Sequence, residues 1–153
     1  MKAKEVTSYE ADDTLTDLQK DALREVGNIG AAHAATALSQ MLDEMIMIDV
    51  TRSHIIGLED MQKNLFGEPT DKVAGIYMQV SGSGTHNLLM LFPYETSLQL
   101  VDMFFKRNAG HTHALSVKDE SALCEIGNVC ACAYLNAIAD LLDITLFPTI
   151  PAL

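Results

Sequence analysis

No stretch of eighteen consecutive apolar residues occurs in this chain of 153 residues, so no membrane span is expected. The opening MKAKEVTSYEADDT holds two lysines with no apolar segment behind them, which is not the pattern of a secretory leader, and the expected location is the cytoplasm. Basic residues are scarce as well: ten Lys and Arg stand against twenty-one Asp and Glu, a formal net charge of −11. Without a concentrated basic patch such a chain is repelled by phosphate backbones and by anionic lipid, so neither nucleic acid nor a membrane is an expected partner.

Metal and redox signatures are sparse too. The three cysteines, Cys124, Cys130 and Cys132, fall within nine residues. On a helix Cys130 and Cys132 point about 200° apart; they share neither a metal nor a disulfide, and small, reduced, buried packing residues are the expectation. His111 and His113 form a His-x-His on a loop with no Cys, Asp or Glu cluster beside it, and His33, His54 and His86 have no paired spacing, so no resident metal or cofactor is expected. The SGSG run at 81–84 has no Lys and no helix after it and reads as a hairpin turn, not a phosphate loop.

What the chain does have is a repeat. DALREVGNIGAAHAATALSQML (Asp21–Leu42) aligns without a gap on SALCEIGNVCACAYLNAIADLL (Ser121–Leu142), one hundred residues later, so that Leu23, Glu25, Gly27, Asn28, Ala31, Ala37 and Leu42 recur. With 48% apolar residues the length suits one domain over 1–153, with repeat one at about 16–107 and a partial repeat two at about 116–153.

Thr16 with Gln19, and Ser116 with Asp119, are capping boxes that open two long helices ending near Leu42 and Leu142. MIMIDVTRSHIIG predicts a strand from about Met45 to Ile56, and ITLFPTIPAL is its equivalent after the second helix. Between the copies, LEDMQKNLF predicts a short helix, KVAGIYMQV and HNLLMLFP a hairpin, ETSLQLVDMFFKR an amphipathic helix, and NAGHTHAL a linker. The fold class is α/β (α+β): an internally repeated, pseudo-two-fold domain with two long helices packed on a mainly antiparallel sheet. The second copy stops after its strand, and completing it would take about 50 more residues. A sheet edge is therefore expected to be exposed by truncation or covered by another chain, a homo-oligomer among the options. The eight methionines read as core filling, and Met103, Phe104 and Phe105 as a candidate docking patch.

At i, i+4 and i+7, Asp21, Glu25 and Asn28 share one helical face, and Ser121, Glu125 and Asn128 repeat it; Leu23, Val26, Gly30, Ala34, Ala37 and Met41 centre on the opposite face. In one copy such a polar face is merely the solvated side of an amphipathic helix. In two copies Glu and Asn recur while neighbours drift, and Asn is a poor helix former, so something other than helicity selects it. Gly27 and Gly127, costly inside a helix, admit a close approach either from a packed element or from a partner. An amide cannot act as a base at neutral pH, but it can hold a water or a substrate oxygen, while a carboxylate one turn away can act as a base or pair with a partner's cation.

EVGNIGAAHAATALSQML and EIGNV resemble the CheC family of chemotaxis phosphatases, related to CheX and to the flagellar switch phosphatase FliY. That family's motif is Asp or Ser, three residues, Glu, two residues, Asn, twenty-two residues, Pro. The second copy matches throughout with Ser121, Glu125, Asn128 and Pro151; the first gives Asp21, Glu25 and Asn28, with Thr51 where Pro is expected. The resemblance runs from about Thr16 to the end and implies an enzyme, a phosphatase acting on the aspartyl phosphate of the chemotaxis response regulator CheY. It further implies that the regulator brings its own Mg2+, that Asn places the attacking water, and that Glu pairs with a lysine of the regulator. CheD is a further implied partner. The rival reading is a non-catalytic adaptor like the related flagellar switch domain, which lacks the Glu and Asn pairs that both copies here retain.

Overall fold

The computed structural model describes residues 15–48 and 72–153. Helix α1 (Asp17–Leu42) starts at a capping box: the Thr16 hydroxyl accepts from the Gln19 N–H while the Gln19 side chain accepts from the Thr16 N–H. It ends where Asp43 turns left-handed at φ 57°, so that the Asp43 and Glu44 N–H groups both donate to the Ser39 carbonyl of the last turn. Strands β1 (Val73–Gly82) and β2 (His86–Pro93) form a hairpin. Gly82 and Gly84 supply the positive φ values its turn needs. Helix α2 (Tyr94–Phe104) follows directly. Helix α3 (Val117–Leu142) is again 26 residues long, again opened by a capping box, Ser116 with Asp119, and again closed by a left-handed Asp, Asp143 at φ 53°. Strand β3 (Leu146–Pro148) completes an antiparallel sheet of order β2-β1-β3. The class is α+β: the sheet is antiparallel, and the long helices are not crossovers between parallel strands.

On β1, Ala74, Ile76, Met78 and Val80 are buried and alternate with residues on the open face. They meet Leu123, Ile126, Cys130 and Ala131 of α3, with Ala34, Leu38 and Leu42 of α1 and Leu100 and Val101 of α2 closing one core. The two long helices pack on each other where α1 has Gly30. A Cβ there would lie 2.5 Å from the Tyr134 ring, so the missing side chain lets the backbones approach.

Several expectations need correction. On α1 the buried line is Gly30, Ala31, Ala34, Ala35, Leu38 and Leu42; Leu23 is 48% exposed, while its counterpart Leu123 is fully buried. The wheel identifies a face but not which end of it is covered: the hairpin lies under the first half of α3, leaving the first turns of α1 in solvent. Met103, Phe104 and Phe105 are not a free docking patch but pack against the core, and Phe105 is further covered by Arg107 and Lys118, each 4.6 Å from its ring centre. Residues 45–48 are not strand; Ile46 is instead held by both its N–H and its carbonyl on the Ser39 hydroxyl. The rest of the predicted strand, Thr51 and the predicted short helix lie outside the described residues.

The linker into α3 is fixed by a polar cluster. Asp102, 2% exposed, accepts from the Thr112 hydroxyl at 2.6 Å, the Thr112 N–H at 3.1 Å and the His111 N–H at 2.9 Å. Arg107 donates to Thr112 at 2.6 Å and to Asp119 at 2.9 Å, so the α3 capping box and the linker share one buried network. By length and composition alone α3 could cross a membrane, with a mean hydropathy of 1.4 over its most apolar window. Its apolar side is occupied by α1 and β1, and its other side carries Ser121, Glu125 and Asn128. That is the pattern of a core helix.

Candidate functional site

Beyond β3 the chain does not stay in regular register. Val80 pairs with Pro148, but Tyr77, three residues back, pairs with Ala152, four residues on. One extra residue is accommodated in Thr149–Pro151. Two prolines explain why a ladder cannot run straight through: neither Pro148 nor Pro151 has an N–H to donate. Thr149 bridges the gap, its N–H donating to the Gln79 carbonyl at 2.8 Å and its hydroxyl accepting from the Gln79 N–H at 3.0 Å. The pairing closes at Ala152, which exchanges two backbone hydrogen bonds with Tyr77 at 2.8 and 2.9 Å. Such bulges bend a strand and re-aim its side chains.

Here the bulged segment faces α3 across a groove of about 320 Å3 lined by Ser121, Cys124, Glu125, Asn128, Cys132 and Pro148 to Pro151. The structure thus brings Ser121, Glu125, Asn128 and Pro151 together, although Pro151 is 23 residues from Asn128 in the chain. Glu125 is exposed and Asn128 half-buried. Among the described residues Glu125 has no ion-pair or hydrogen-bond partner. Ser121 donates back to the Val117 carbonyl at 3.0 Å, which turns its hydroxyl along the helix. The groove therefore offers one unpaired carboxylate and one amide. Among the described residues no group of three or more His, Cys, Asp or Glu is placed to hold a metal ion.

On α1 the first copy shows the same face. Asp21 and Glu25 are exposed and Asn28 half-buried, and Asp21 pairs with Arg24 at 2.9 Å. Thr51, the residue matching Pro151, lies outside the described residues.

Two groove residues were not anticipated. Cys130 is buried among core side chains, and that burial pushes its thiol up to about 11. Cys124 and Cys132, expected to be buried packing residues, are only half-buried and line the groove. They sit at i−4 and i+4 from Asn128, a spacing that puts all three on one face and was the available signal.

A larger groove of about 850 Å3 lies between the C-terminal end of α1, α2 and the linker, with Asp43, Glu95, Lys106 and His113 among its walls. Its innermost carboxylate, Asp102, is already satisfied by Thr112 and His111, and Lys106 reaches Asp43 at 3.5 Å. Asp102, Arg107 and Thr112 in its wall anchor the linker, whereas the α3 groove is the one lined by the repeated Glu and Asn and is taken as the candidate site.

The paired capped helices, the antiparallel sheet and the Glu and Asn face carried by both long helices form an α+β protein whose candidate site lies on α3. A model of the CheC-like family matches residues 18–49. The CheY-P phosphatase CheC of Bacillus subtilis (strain 168) is 34% identical over 139 residues, covering 87% of this chain and 64% of that protein; the chain spans just under two thirds of its relative's length. The crystal structure of Thermotoga maritima FliY superposes with a TM-score of 0.75 over 90% of this chain and 68% of that one, at 22% identity, a likeness of fold. The chain is thus similar in sequence to CheC over most of its length and similar in fold to FliY.

Proposed function

We propose that this chain hydrolyses the aspartyl phosphate of a CheY-type response regulator, with the α3 groove as the principal site. The observation that carries the reading is the convergence of Ser121, Glu125, Asn128 and Pro151 on one groove, together with the likeness to a CheY-P phosphatase. Asn128 orients a water through its amide, and Glu125, unpaired and exposed, takes a cation of the incoming regulator. Water attacks phosphorus, the bond from phosphorus to the aspartyl oxygen breaks, and phosphate and a free carboxylate result. The regulator brings Mg2+, which neutralises phosphoryl charge. Such transfer is governed by positioning and charge neutralisation, so a chain that adds one aligned water and one docking carboxylate is physically sufficient.

Glu25 and Asn28 present the same pair on α1 and form a second site, with Asp21 in the place of Ser121. A substrate of this kind implies a cytoplasmic location, and CheD is a candidate regulator by the same family likeness. The test is the decay of Mg2+-loaded, aspartyl-phosphorylated CheY from the same organism with a substoichiometric amount of this chain. Turnover that disappears in the Asn28→Ala, Asn128→Ala double variant is the expected result. Binding without acceleration would make the chain an adaptor and overturn the reading.

A further inference from the structure

Asn128 does not stand alone on the groove wall. The Cys132 sulfur lies 3.7 Å from its amide oxygen, one turn further along α3. A thiol carries one hydrogen and an amide oxygen only accepts, so the contact runs from S–H to Oδ1 and leaves the NH2 group as the part of the amide free to address a ligand. A half-exposed Asn otherwise rotates about χ2 over a broad range. The equivalent contact is missing in the first copy, where the position matching Cys132 is Ala32, whose methyl group donates nothing. Cys124 flanks Asn128 on the other side but makes no such bond among the described residues.

We propose that Cys132 is a positioning residue for Asn128: its thiol fixes the amide so that the second copy holds a preoriented Asn and the first does not. The inference rests on the phosphatase reading for its consequence, and on the Cys132 to Asn128 contact for its geometry. A water-orienting amide loses effectiveness when its orientation is not held, since misplacement by about 1 Å costs up to roughly a hundredfold in rate. A weak donor on one side of the amide accounts for only part of that.

The test uses the full chain carrying Asn28→Ala, so that turnover of phosphorylated CheY reports on the second copy. Cys132→Ala and Cys132→Val, the latter filling the space of the thiol without its hydrogen, are expected to lower kcat by about three- to tenfold with KM unchanged, and Cys132→Ser to restore it to within about twofold. Side-chain amide NMR gives a readout independent of turnover: the Asn128 NH2 pair should move towards free-amide positions in the Ala and Val variants and stay near its original position in Ser. An unchanged kcat in Cys132→Ala, a failure of Ser to restore it, or an Asn28→Ala background without turnover would each overturn the positioning role. If the Asn28→Ala, Asn128→Ala double variant keeps the full rate, the phosphatase reading fails instead, and the NMR shifts still decide whether the thiol holds the amide.

Discussion

Gly127 lies directly over Ile76: a Cβ at Gly127 would fall 2.7 Å from Ile76 Cδ1 and 2.8 Å from its Cγ2, whereas nothing lies within 4 Å of one at Gly27. Two glycines at matching places thus have different physical meanings. Ile76 is fully buried and has no room to yield, so a methyl at 127 forces the hairpin away from α3. Overpacking of this kind costs about 1–3 kcal/mol, against roughly 1 kcal/mol gained from helix propensity. Gly127→Ala is expected to destabilise by about 1 kcal/mol net, and Gly27→Ala to stabilise by about 0.5–1 kcal/mol. Urea unfolding midpoints of the two variants decide the matter, and equal shifts would refute the asymmetry.

The same asymmetry shows how much was legible in the sequence. Both long helices with their capping boxes, the hairpin and the amphipathic α2 follow from local rules, and Thr16, Ser116 and the SGSG turn mark their limits. The identity of Leu23 and Leu123 conceals that one is exposed and the other buried, because which end of a helix is covered depends on where the hairpin lies. At the site, the i, i+4, i+7 spacing placed Ser121, Glu125 and Asn128 on one face from the residues alone, and Pro151 was added by family resemblance. The groove itself depends on the extra residue between Pro148 and Ala152, and a bulge of that kind leaves no period to read. The angle between Cys130 and Cys132 says nothing of the groove; it is the spacing of Cys124 and Cys132 at four residues either side of Asn128 that marks their place on it.

Acid should loosen the linker. The Thr112 hydroxyl, assisted by the N–H groups of Thr112 and His111, holds the Asp102 carboxyl below its ordinary value of 3.8 despite its burial. The Ser116 hydroxyl and N–H, with Arg107, do the same for Asp119. Carboxyls with depressed folded-state values contribute stability that is complete above 3.8 and is lost as the pH falls below it towards the folded-state values. Thermal unfolding followed from about pH 5 down to about pH 3 should show a steeper loss in the parent than in Thr112→Val, which removes the main donor to Asp102. Parallel profiles would mean that the cluster does not govern acid sensitivity.

The two capping boxes should differ in global effect. Ser116→Ala removes the acceptor for the Asp119 N–H and the hydroxyl that donates to the Asp119 carboxylate at 2.6 Å, at an expected cost of about 1 kcal/mol. The start of α3 is buried against the core through Ala122 and Leu123, so this loss reaches global stability. Thr16→Ala acts on turns of α1 that are exposed from Thr16 to Arg24 apart from Lys20, and fraying there is local. Amide hydrogen exchange should therefore accelerate in the first turns of α1 with little change in the unfolding midpoint, whereas Ser116→Ala shifts the midpoint.

The proposed roles of Glu125 and Asn128 separate in kinetics. Glu125 is exposed and unpaired among the described residues, so its interaction with a cation on the regulator would form on docking and persist through the reaction. An interaction made equally in the ground and transition states affects KM and leaves kcat unchanged. In the Asn28→Ala background, Glu125→Ala should raise KM about three- to tenfold, more at low salt than at high salt because a rim charge is screened. Asn128→Ala should instead lower kcat by about a hundredfold with KM nearly constant, because an aligned water matters only as phosphorus is attacked. Glu125→Gln keeps the size and the hydrogen-bonding capacity but not the charge, and should follow Glu125→Ala. If Glu125→Gln retains the parent KM and Glu125→Ala loses kcat, the carboxylate is doing more than docking, and its part in handling the water's proton would have to be reconsidered.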